Sequence, residues 1–210
     1  MRHWIDTTLA DRFLVSANVR FMFLKDIVEK VLETADLSLP GEKPFSDVAL
    51  MYALMDIFSG SASIPACREV LSYLGDDPAG IKCVQVSRKI AALFDDYQVY
   101  RPDMMLEWQK TGFECPEDMP AMRWQSGLFS QLCKKGFGRH MGSRVNDFLK
   151  KPLNTDDMFC PRLFLFGISS MPPLFMTVLS RMAQAVDVHL FVLTPSKEFF
   201  GHIMSSKNQA

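Results

Sequence analysis

Hydrophobic residues recur at helical intervals through most of the chain. Phe23, Ile27 and Val31, for example, follow one another at steps of four residues. Such spacing gathers apolar side chains on one face of an amphipathic helix, so a helix is predicted over residues 23–32. The same spacing predicts further helices over residues 4–13, 46–58, 64–74, 79–100, 102–109, 121–132 and 143–149.

The breaks between these segments contain residues that start or stop helices. Ser46 and Asp47 carry side-chain oxygens that can accept a hydrogen bond from the first free N–H groups of a helix. Pro102 lacks a backbone N–H and therefore suits the first turn of the helix that follows it. Loops are predicted over residues 37–44, 112–120 and 150–161, which are rich in glycine, proline and polar residues.

The pattern changes in the last fifty or so residues. Two short apolar runs, 162–166 and 188–193, flank an amphipathic segment, 174–185, and this order predicts a strand, a helix and a strand. Apart from Arg162 and His189 both runs are wholly apolar, which favours strands buried on both faces of a parallel sheet. The predicted fold class is therefore α/β, with a mostly helical part followed by one βαβ unit of an incomplete sheet. The tail from Ser196 is predicted to begin as a helix.

Composition indicates an ordinary globular protein. The 210 residues are 48% hydrophobic and 22% charged, with a net charge of −1, so no overall positive field attracts nucleic acid. Any contact with DNA must come from a local patch or from a larger assembly. Five widely spaced cysteines without a C-x-x-C pair favour free thiols in a reducing cytoplasm. No apolar run is long enough to suggest a membrane span, and the first residues do not resemble a signal peptide.

The turn after the first predicted strand lacks the chemistry of a nucleotide site. A phosphate-binding loop needs several glycines, a lysine and free backbone N–H groups. The turn 167–173 has one glycine and no lysine, and its prolines, Pro172 and Pro173, have no N–H to donate. No ATP-hydrolysing site is therefore expected in this chain.

Acidic and histidine residues do not form a catalytic set either. Asp95 and Asp96 are adjacent on a predicted helix, where neighbouring side chains diverge by about 100°, so they cannot chelate a metal as a pair. The four histidines have no metal-ligand spacing, and His189 is expected to be a core histidine. We expect no catalytic residue, metal or cofactor in the chain itself.

Two polar clusters remain as candidates for binding. Residues 95–101 place an arginine and two tyrosines at a helix end, where they could hold a phosphate or stack on bases; alternatively Arg101 caps the helix and the tyrosines are half-buried. Residues 134–144 form a basic, glycine-containing turn that could follow a phosphate backbone or could be a solvated turn. The high counts of 14 Met and 17 Phe likewise indicate adaptable core packing or a surface for partner proteins.

Three stretches resemble the RecC family, the gamma subunit of exodeoxyribonuclease V. The most specific is residues 91–103, Ala-Ala-Leu-Phe-Asp-Asp-Tyr-Gln-Val-Tyr-Arg-Pro-Asp, followed by Trp108. Residues 165–173, Leu-Phe-Gly-Ile-Ser-Ser-Met-Pro-Pro, are followed by Val188-His189-Leu190-Phe191 and Pro195. At the front, residues 1–18 resemble the family stretch that ends in Ala-Ala-Asn.

The resemblance implies an N-terminal part of a longer, non-catalytic subunit that is folded like a superfamily 1 helicase without ATPase motifs. Residues 1–22 would begin the helicase-like domain, residues 23–155 would form an inserted helical subdomain, and residues 156–210 would return to the first domain. The family's partners are a RecB-like nuclease–helicase and a RecD-like helicase, in which ATP and Mg²⁺ act. Together they unwind and degrade DNA ends in double-strand break repair.

The resemblance also implies the residues that line a channel for the 3′ strand of the split duplex, where the Chi sequence is scanned. Arg101 would contact phosphate or base, Phe23 would stack, and Asp95 and Asp96 would accept hydrogen bonds from bases or position Arg101. The family's proline-rich stretch is replaced by residues 20–25, and Glu29 and His3 replace a Trp and a Gln, which leaves open whether Chi is read. The matching channel positions are Phe23, Leu93, Asp95, Asp96, Arg101 and Arg139. The alternative is a structural module that docks partner subunits without its own DNA contacts.

Overall fold

The structure is a computed structural model, and it describes residues 2–35, 41–60, 67–75, 80–114, 119–154 and 158–193. Within these ranges it contains nine helices and two strands. The helices are α1 (Arg2–Phe13), α2 (Leu24–Ala35), α3 (Asp47–Ser59), α4 (Arg68–Leu74), α5 (Ile81–Tyr100), α6 (Pro102–Lys110), α7 (Pro120–Lys134), α8 (Met141–Lys150) and α9 (Pro173–Met182); the strands are β1 (Arg162–Phe166) and β2 (Asp187–Phe191).

The predicted helices are confirmed, with ends that agree closely with the sequence pattern. Ser46 is the N-cap of α3, and its hydroxyl oxygen accepts a hydrogen bond from the backbone N–H of Ala49 at 3.4 Å. Pro102 occupies the first turn of α6, as expected. The start of the predicted helix 64–74 and the helix predicted from Ser196 lie outside the described residues.

A first hydrophobic core is formed by α3 to α7, with α3 packed along α5. Its centre is aromatic, because the fully buried ring of Phe129 lies 5.9 Å from that of Phe94 and 6.1 Å from that of Trp108, measured between centroids. Offset and edge-on aromatic pairs at these distances are favourable. The long helix α5 is buried along one side, from Cys83 to Val99.

A second hydrophobic core joins α2 and α8 to the βαβ unit. Ile27 and Val28 of α2 pack there with Phe148 of α8 and Phe175 of α9, and Val99 near the end of α5 belongs to the same cluster. The end of α5 therefore lies where the two cores meet. The domain boundaries predicted at residues 22 and 155 stay predictions, since packing alone does not divide the chain at these positions.

The two strands pair in parallel, with Leu163 opposite Val188 and Phe166 opposite Phe191. Because α9 connects them, the predicted βαβ unit is confirmed. The expected burial on both faces is wrong: β1 alternates between exposed and buried residues, and β2 is largely exposed. The reason is that the described helices pack against only one face of the sheet.

The open face of the sheet carries a cluster of aromatic side chains, Phe164, Phe166, His189 and Phe191. The rings of Phe164 and His189 stack, with centroids 4.9 Å apart and planes inclined by 13°. Phe164 is 57% exposed, and the other three members are exposed as well. The expectation that His189 is a core histidine is therefore wrong.

Helix α1 forms where it was predicted but buries none of its residues. Its apolar side chains Trp4 and Phe13 are exposed. Among the described helices, none has the length and apolar content that crossing a bilayer requires.

Candidate nucleic-acid interface

The start of α2 meets α5 through an ion pair between Lys25 and Asp95. The Lys25 ammonium nitrogen lies 3.1 Å from Oδ2 and 3.4 Å from Oδ1 of Asp95. Phe23 directly precedes α2, and its carbonyl oxygen accepts the backbone N–H of Ile27 at 3.1 Å. Its ring is 83% exposed. Two of the predicted DNA-contacting residues, Phe23 and Asp95, thus lie at the same seam between two helices.

Asp95 is oriented from the protein interior by Gln98. The side-chain amide nitrogen of Gln98 donates to Asp95 Oδ1 at 2.7 Å and to the carbonyl oxygen of Phe45 at 3.3 Å. Its side-chain oxygen accepts the backbone N–H of Met141 at 3.0 Å. Gln98 is only 2% exposed, so buried polar contacts satisfy its amide and set the direction of the Asp95 carboxylate.

Three further predicted residues follow along α5 and its end. Leu93 is half-buried, Asp96 is exposed, and Arg101 is exposed at the junction of α5 and α6. Within the part of the chain that the structure describes, the Arg101 guanidinium makes no hydrogen bond or ion pair. It is therefore available to an external anion.

The end of α5 resolves one alternative left by the sequence. The backbone N–H of Arg101 donates to the carbonyl oxygen of Tyr97 at 2.9 Å, and the Arg101 guanidinium makes no hydrogen bond to a carbonyl oxygen of the described residues. Tyr97 is half-buried and donates its hydroxyl to Oε1 of Gln125 at 3.0 Å, whereas Tyr100 is largely exposed. Of the two tyrosines, Tyr100 is the one that a ligand can reach.

Arg139 lies in a different environment from the other predicted residues. Its guanidinium pairs with Asp147 at 2.9 Å and with Glu42 at 3.7 Å, and its side chain is only 16% exposed. Its positive charge is thus largely offset by two carboxylates of the same chain. The proposed DNA contact of Arg139 stays a prediction.

The basic turn 134–144 is tied into the fold in the same way. Lys135 pairs with Asp56 of α3, and Arg144 pairs with Glu29 of α2. The carboxylate of Asp56 has a lowered pKa because Lys135 donates a hydrogen bond to it. These cations connect helices to one another, which leaves less charge for a phosphate backbone than the sequence suggested.

His140 belongs to that turn in sequence but not to its surface. It is fully buried between the rings of Phe45 and Phe129, and its Nε2 lies 3.3 Å from Oε1 of Gln109. Burial lowers the pKa of His140 to about 4. The imidazole is therefore neutral at physiological pH and adds no positive charge to the turn.

Sequence reasoning missed the roles of Lys25 and Gln98. In the sequence, Lys25 was noted only as one of residues 20–25, which replace the family's proline-rich stretch. Gln98 was noted only as one of the polar cluster 95–101. A signal existed for Gln98, because a polar residue in the apolar stripe of a helix often satisfies buried partners. No signal along the chain pairs Lys25 with Asp95, which is 70 residues away.

Other chemistry is sparse in the described part of the chain. No group of three or more His, Cys, Asp or Glu residues there could hold a metal ion. Cys67, Cys83, Cys133 and Cys160 are free thiols, and Cys115 lies outside the described residues. Burial raises the pKa of Cys67 and of Cys133 to about 11, so both remain protonated near neutral pH.

Comparison with known proteins adds a consistent set of relatives. The chain is 28% identical over 215 residues to the RecBCD enzyme subunit RecC of Escherichia coli (strain K12), covering 97% of this chain and 19% of that protein. It is 27% identical over 233 residues to the same subunit of Haemophilus influenzae, covering 97% and 20% respectively. The subunit of Mycolicibacterium smegmatis is 24% identical over 214 residues, with 99% and 19% covered.

The chain thus spans about a fifth of the length of the curated relatives that it matches. A family model described as the N-terminal domain of RecC matches residues 1–210, the full extent of the sequence. On that match, the chain belongs to the RecC family.

Proposed function

We propose that the chain is a non-catalytic DNA-binding and scaffold part of a RecBCD-type helicase–nuclease, which processes DNA ends in double-strand break repair in the cytoplasm. The observation that carries the proposal is the seam between α2 and α5, which brings the exposed ring of Phe23 to the helix that bears Asp95 and leads to Arg101. Membership of the RecC family supports it. RecB-like and RecD-like subunits would supply ATP- and Mg²⁺-dependent catalysis.

The seam and the end of α5 together have the groups that a single strand needs. An exposed aromatic ring can stack on any base, and a guanidinium can hold a phosphate or the edge of a base. Phe23 and Arg101 provide these two groups, while Asp96 offers an exposed hydrogen-bond acceptor on α5. Half-buried Leu93 would add an apolar contact. In this proposal the seam lines the channel of the 3′ strand, where Chi or another sequence is scanned.

The test is single-stranded DNA binding by the reconstituted helicase–nuclease complex carrying Arg101→Ala. Loss of one phosphate contact is expected to weaken binding about fourfold at physiological salt, because each such contact contributes about 0.7 to the slope of log affinity against log salt. Arg88→Ala is a matched control, since Arg88 is exposed on the same helix but lies about 20 Å further along its axis. Unchanged affinity and unchanged response to sequence with Arg101→Ala would contradict the assignment.

A second function is supported by the aromatic cluster on the open face of the sheet. Exposed, contiguous apolar surface marks sites where another protein surface packs, so the same chain could act as a docking module for partner subunits. Phe166→Ser and Phe191→Ser would then weaken capture by the RecB-like subunit and leave DNA binding unchanged. Capture that is unaffected by both substitutions would argue against this second function.

A further inference from the structure

The geometry of the Lys25–Asp95 pair is asymmetric with respect to solvent. The Lys25 side chain is 49% exposed, whereas the Asp95 side chain is 25% exposed. A lysine ammonium carries three donors, and the Asp95 carboxylate faces only one side of it. Lys25 can therefore remain on Asp95 and still present donors to an anion outside the protein.

The Asp95 carboxylate, in contrast, is already engaged. Oδ1 accepts from the Gln98 amide at 2.7 Å and from Lys25 at 3.4 Å, and Oδ2 accepts from Lys25 at 3.1 Å. Because Gln98 is buried, this arrangement directs Asp95 toward the protein and toward Lys25. A carboxylate held in this way is a counterion for a lysine, and it offers little to the edge of a base.

Lys25 also belongs to the short segment that carries the exposed aromatic ring of the interface. It follows Phe23 by two residues, in the first turn of α2, and Phe23 is exposed to solvent. A cation and an exposed aromatic ring are the two kinds of group that hold the phosphates and stack the bases of a single strand. Apart from Asp95, no described residue pairs with the Lys25 ammonium.

We propose that Lys25 contacts a phosphate of the single strand and that Asp95 is its internal counterion, which positions the ammonium and weakens its attraction for nucleic acid. This inference rests on the proposed function and extends it to a residue that the family resemblance did not indicate. It also changes the role of Asp95 from an acceptor for bases to a positioning residue for Lys25.

The two roles of Asp95 predict opposite results for Asp95→Asn. If Asp95 restrains Lys25, neutralising it increases the attraction for phosphate and steepens the dependence of affinity on salt. If Asp95 accepts hydrogen bonds from bases, the same change weakens binding and flattens the response to sequence. The sign of the change in affinity therefore distinguishes the two roles.

The experiment measures binding of a short, mixed-sequence, labelled single-stranded oligonucleotide by the reconstituted complex over a series of salt concentrations. Lys25→Gln is expected to weaken binding about fourfold at physiological salt and to reduce the salt slope by about 0.7. Lys25→Arg should retain both values. Asp95→Asn should strengthen binding, and adding Lys25→Gln to it should remove that gain.

Lys110 and Glu107 provide matched controls. They form an exposed pair on α6 with a nitrogen–oxygen distance of 3.7 Å, so Lys110→Gln and Glu107→Gln make the same changes in net charge away from the seam. Neither is expected to alter affinity or salt slope. Urea unfolding of each variant checks that the fold is retained.

The outcomes separate this inference from the proposed function. Weaker binding with Arg101→Ala and Phe23→Ala but wild-type affinity and salt slope with Lys25→Gln would overturn the inference alone. Weaker binding with Asp95→Asn would overturn the counterion role. Wild-type binding by all of these variants would overturn the proposed function together with the inference.

Discussion

The buried side chain of Gln98 accepts a hydrogen bond of 3.0 Å from the backbone N–H of Met141, which joins the end of α5 to the first residue of α8. The same side chain donates to Asp95 and to the carbonyl oxygen of Phe45. One amide thus connects the candidate interface to the region where the two hydrophobic cores meet. Its loss would take a partner from the buried backbone N–H of Met141 and from the carbonyl oxygen of Phe45, whereas Asp95 would keep Lys25.

Gln98→Leu is expected to destabilise the chain by about 1–3 kcal/mol, the cost of leaving buried polar groups unsatisfied. Urea unfolding monitored by circular dichroism measures the change. Gln85→Leu is the matched control, because Gln85 is exposed on the same helix. Equal stabilities of the two variants would show that the Gln98 contacts contribute nothing to the folded state.

Gly136→Ala is expected to be more damaging than Gly112→Ala. Both glycines have positive φ, of 96° and 66° respectively, so each substitution carries a backbone cost of about 1 kcal/mol or more. A Cβ at Gly136 would lie 2.4 Å from the carbonyl oxygen of Gly41, whereas a Cβ at Gly112 meets nothing within 4 Å. The difference in unfolding free energy between the two variants therefore isolates the steric clash. Equal unfolding free energies of the two variants would mean that the segment 41–43 moves aside without cost.

Acid is expected to destabilise the chain through His140. Burial depresses its folded-state pKa to about 4 from 6.5, so the unfolded chain binds this proton at higher pH than the folded chain does. The stability contribution is fully present above pH 6.5 and is lost as the pH falls toward 4. With 1.36 kcal/mol for each unit of pKa difference, the loss is about 3 kcal/mol.

The pH dependence can be assigned by substitution. Thermal or urea unfolding between pH 7 and about pH 4 should show a shallower decline for His140→Gln than for the unsubstituted chain. The exposed residue His3 is the control, and His3→Gln should leave the decline as it is. A decline that persists unchanged in His140→Gln would contradict the assignment to this histidine.

The two faces of the sheet are expected to respond differently to truncation. Phe175 of α9 is buried against the covered face, and Phe175→Ala should destabilise the chain by about 3–5 kcal/mol because it leaves a cavity. Phe166 lies on the open face, and Phe166→Ala should cost less than about 1 kcal/mol. Unfolding free energies of the two variants measure the difference. A large loss of stability with Phe166→Ala would show that the open face is covered.

Local features of the chain were predictable because their causes are local. The spacing of Phe23, Ile27 and Val31 predicts α2, since about 3.6 residues per turn place side chains four positions apart on the same face of a helix. Ser46 and Pro102 indicate helix starts because each acts on its own first turn. The order of the βαβ unit follows from two apolar runs around an amphipathic segment.

The candidate site was only partly predictable, because it depends on contacts between residues that are distant along the chain. The family resemblance indicated Phe23, Asp95 and Arg101, but the partner of Asp95 is Lys25, and nothing along the chain brings residues 70 positions apart into contact. Arg139 and His140 are both polar members of a basic turn in sequence. In the fold, one is held by two carboxylates and the other is buried and neutral.

By itself the sequence determined the helices, their caps, the βαβ order and membership of a family, because periodicity, capping and motif spacing are properties of neighbouring residues. Only the tertiary structure decided which charges are already paired, which face of the sheet stays open and how Lys25 lies against Asp95. Pairing and burial depend on packing between distant segments, and that packing sets the distances and the solvent exposure on which electrostatic interactions depend.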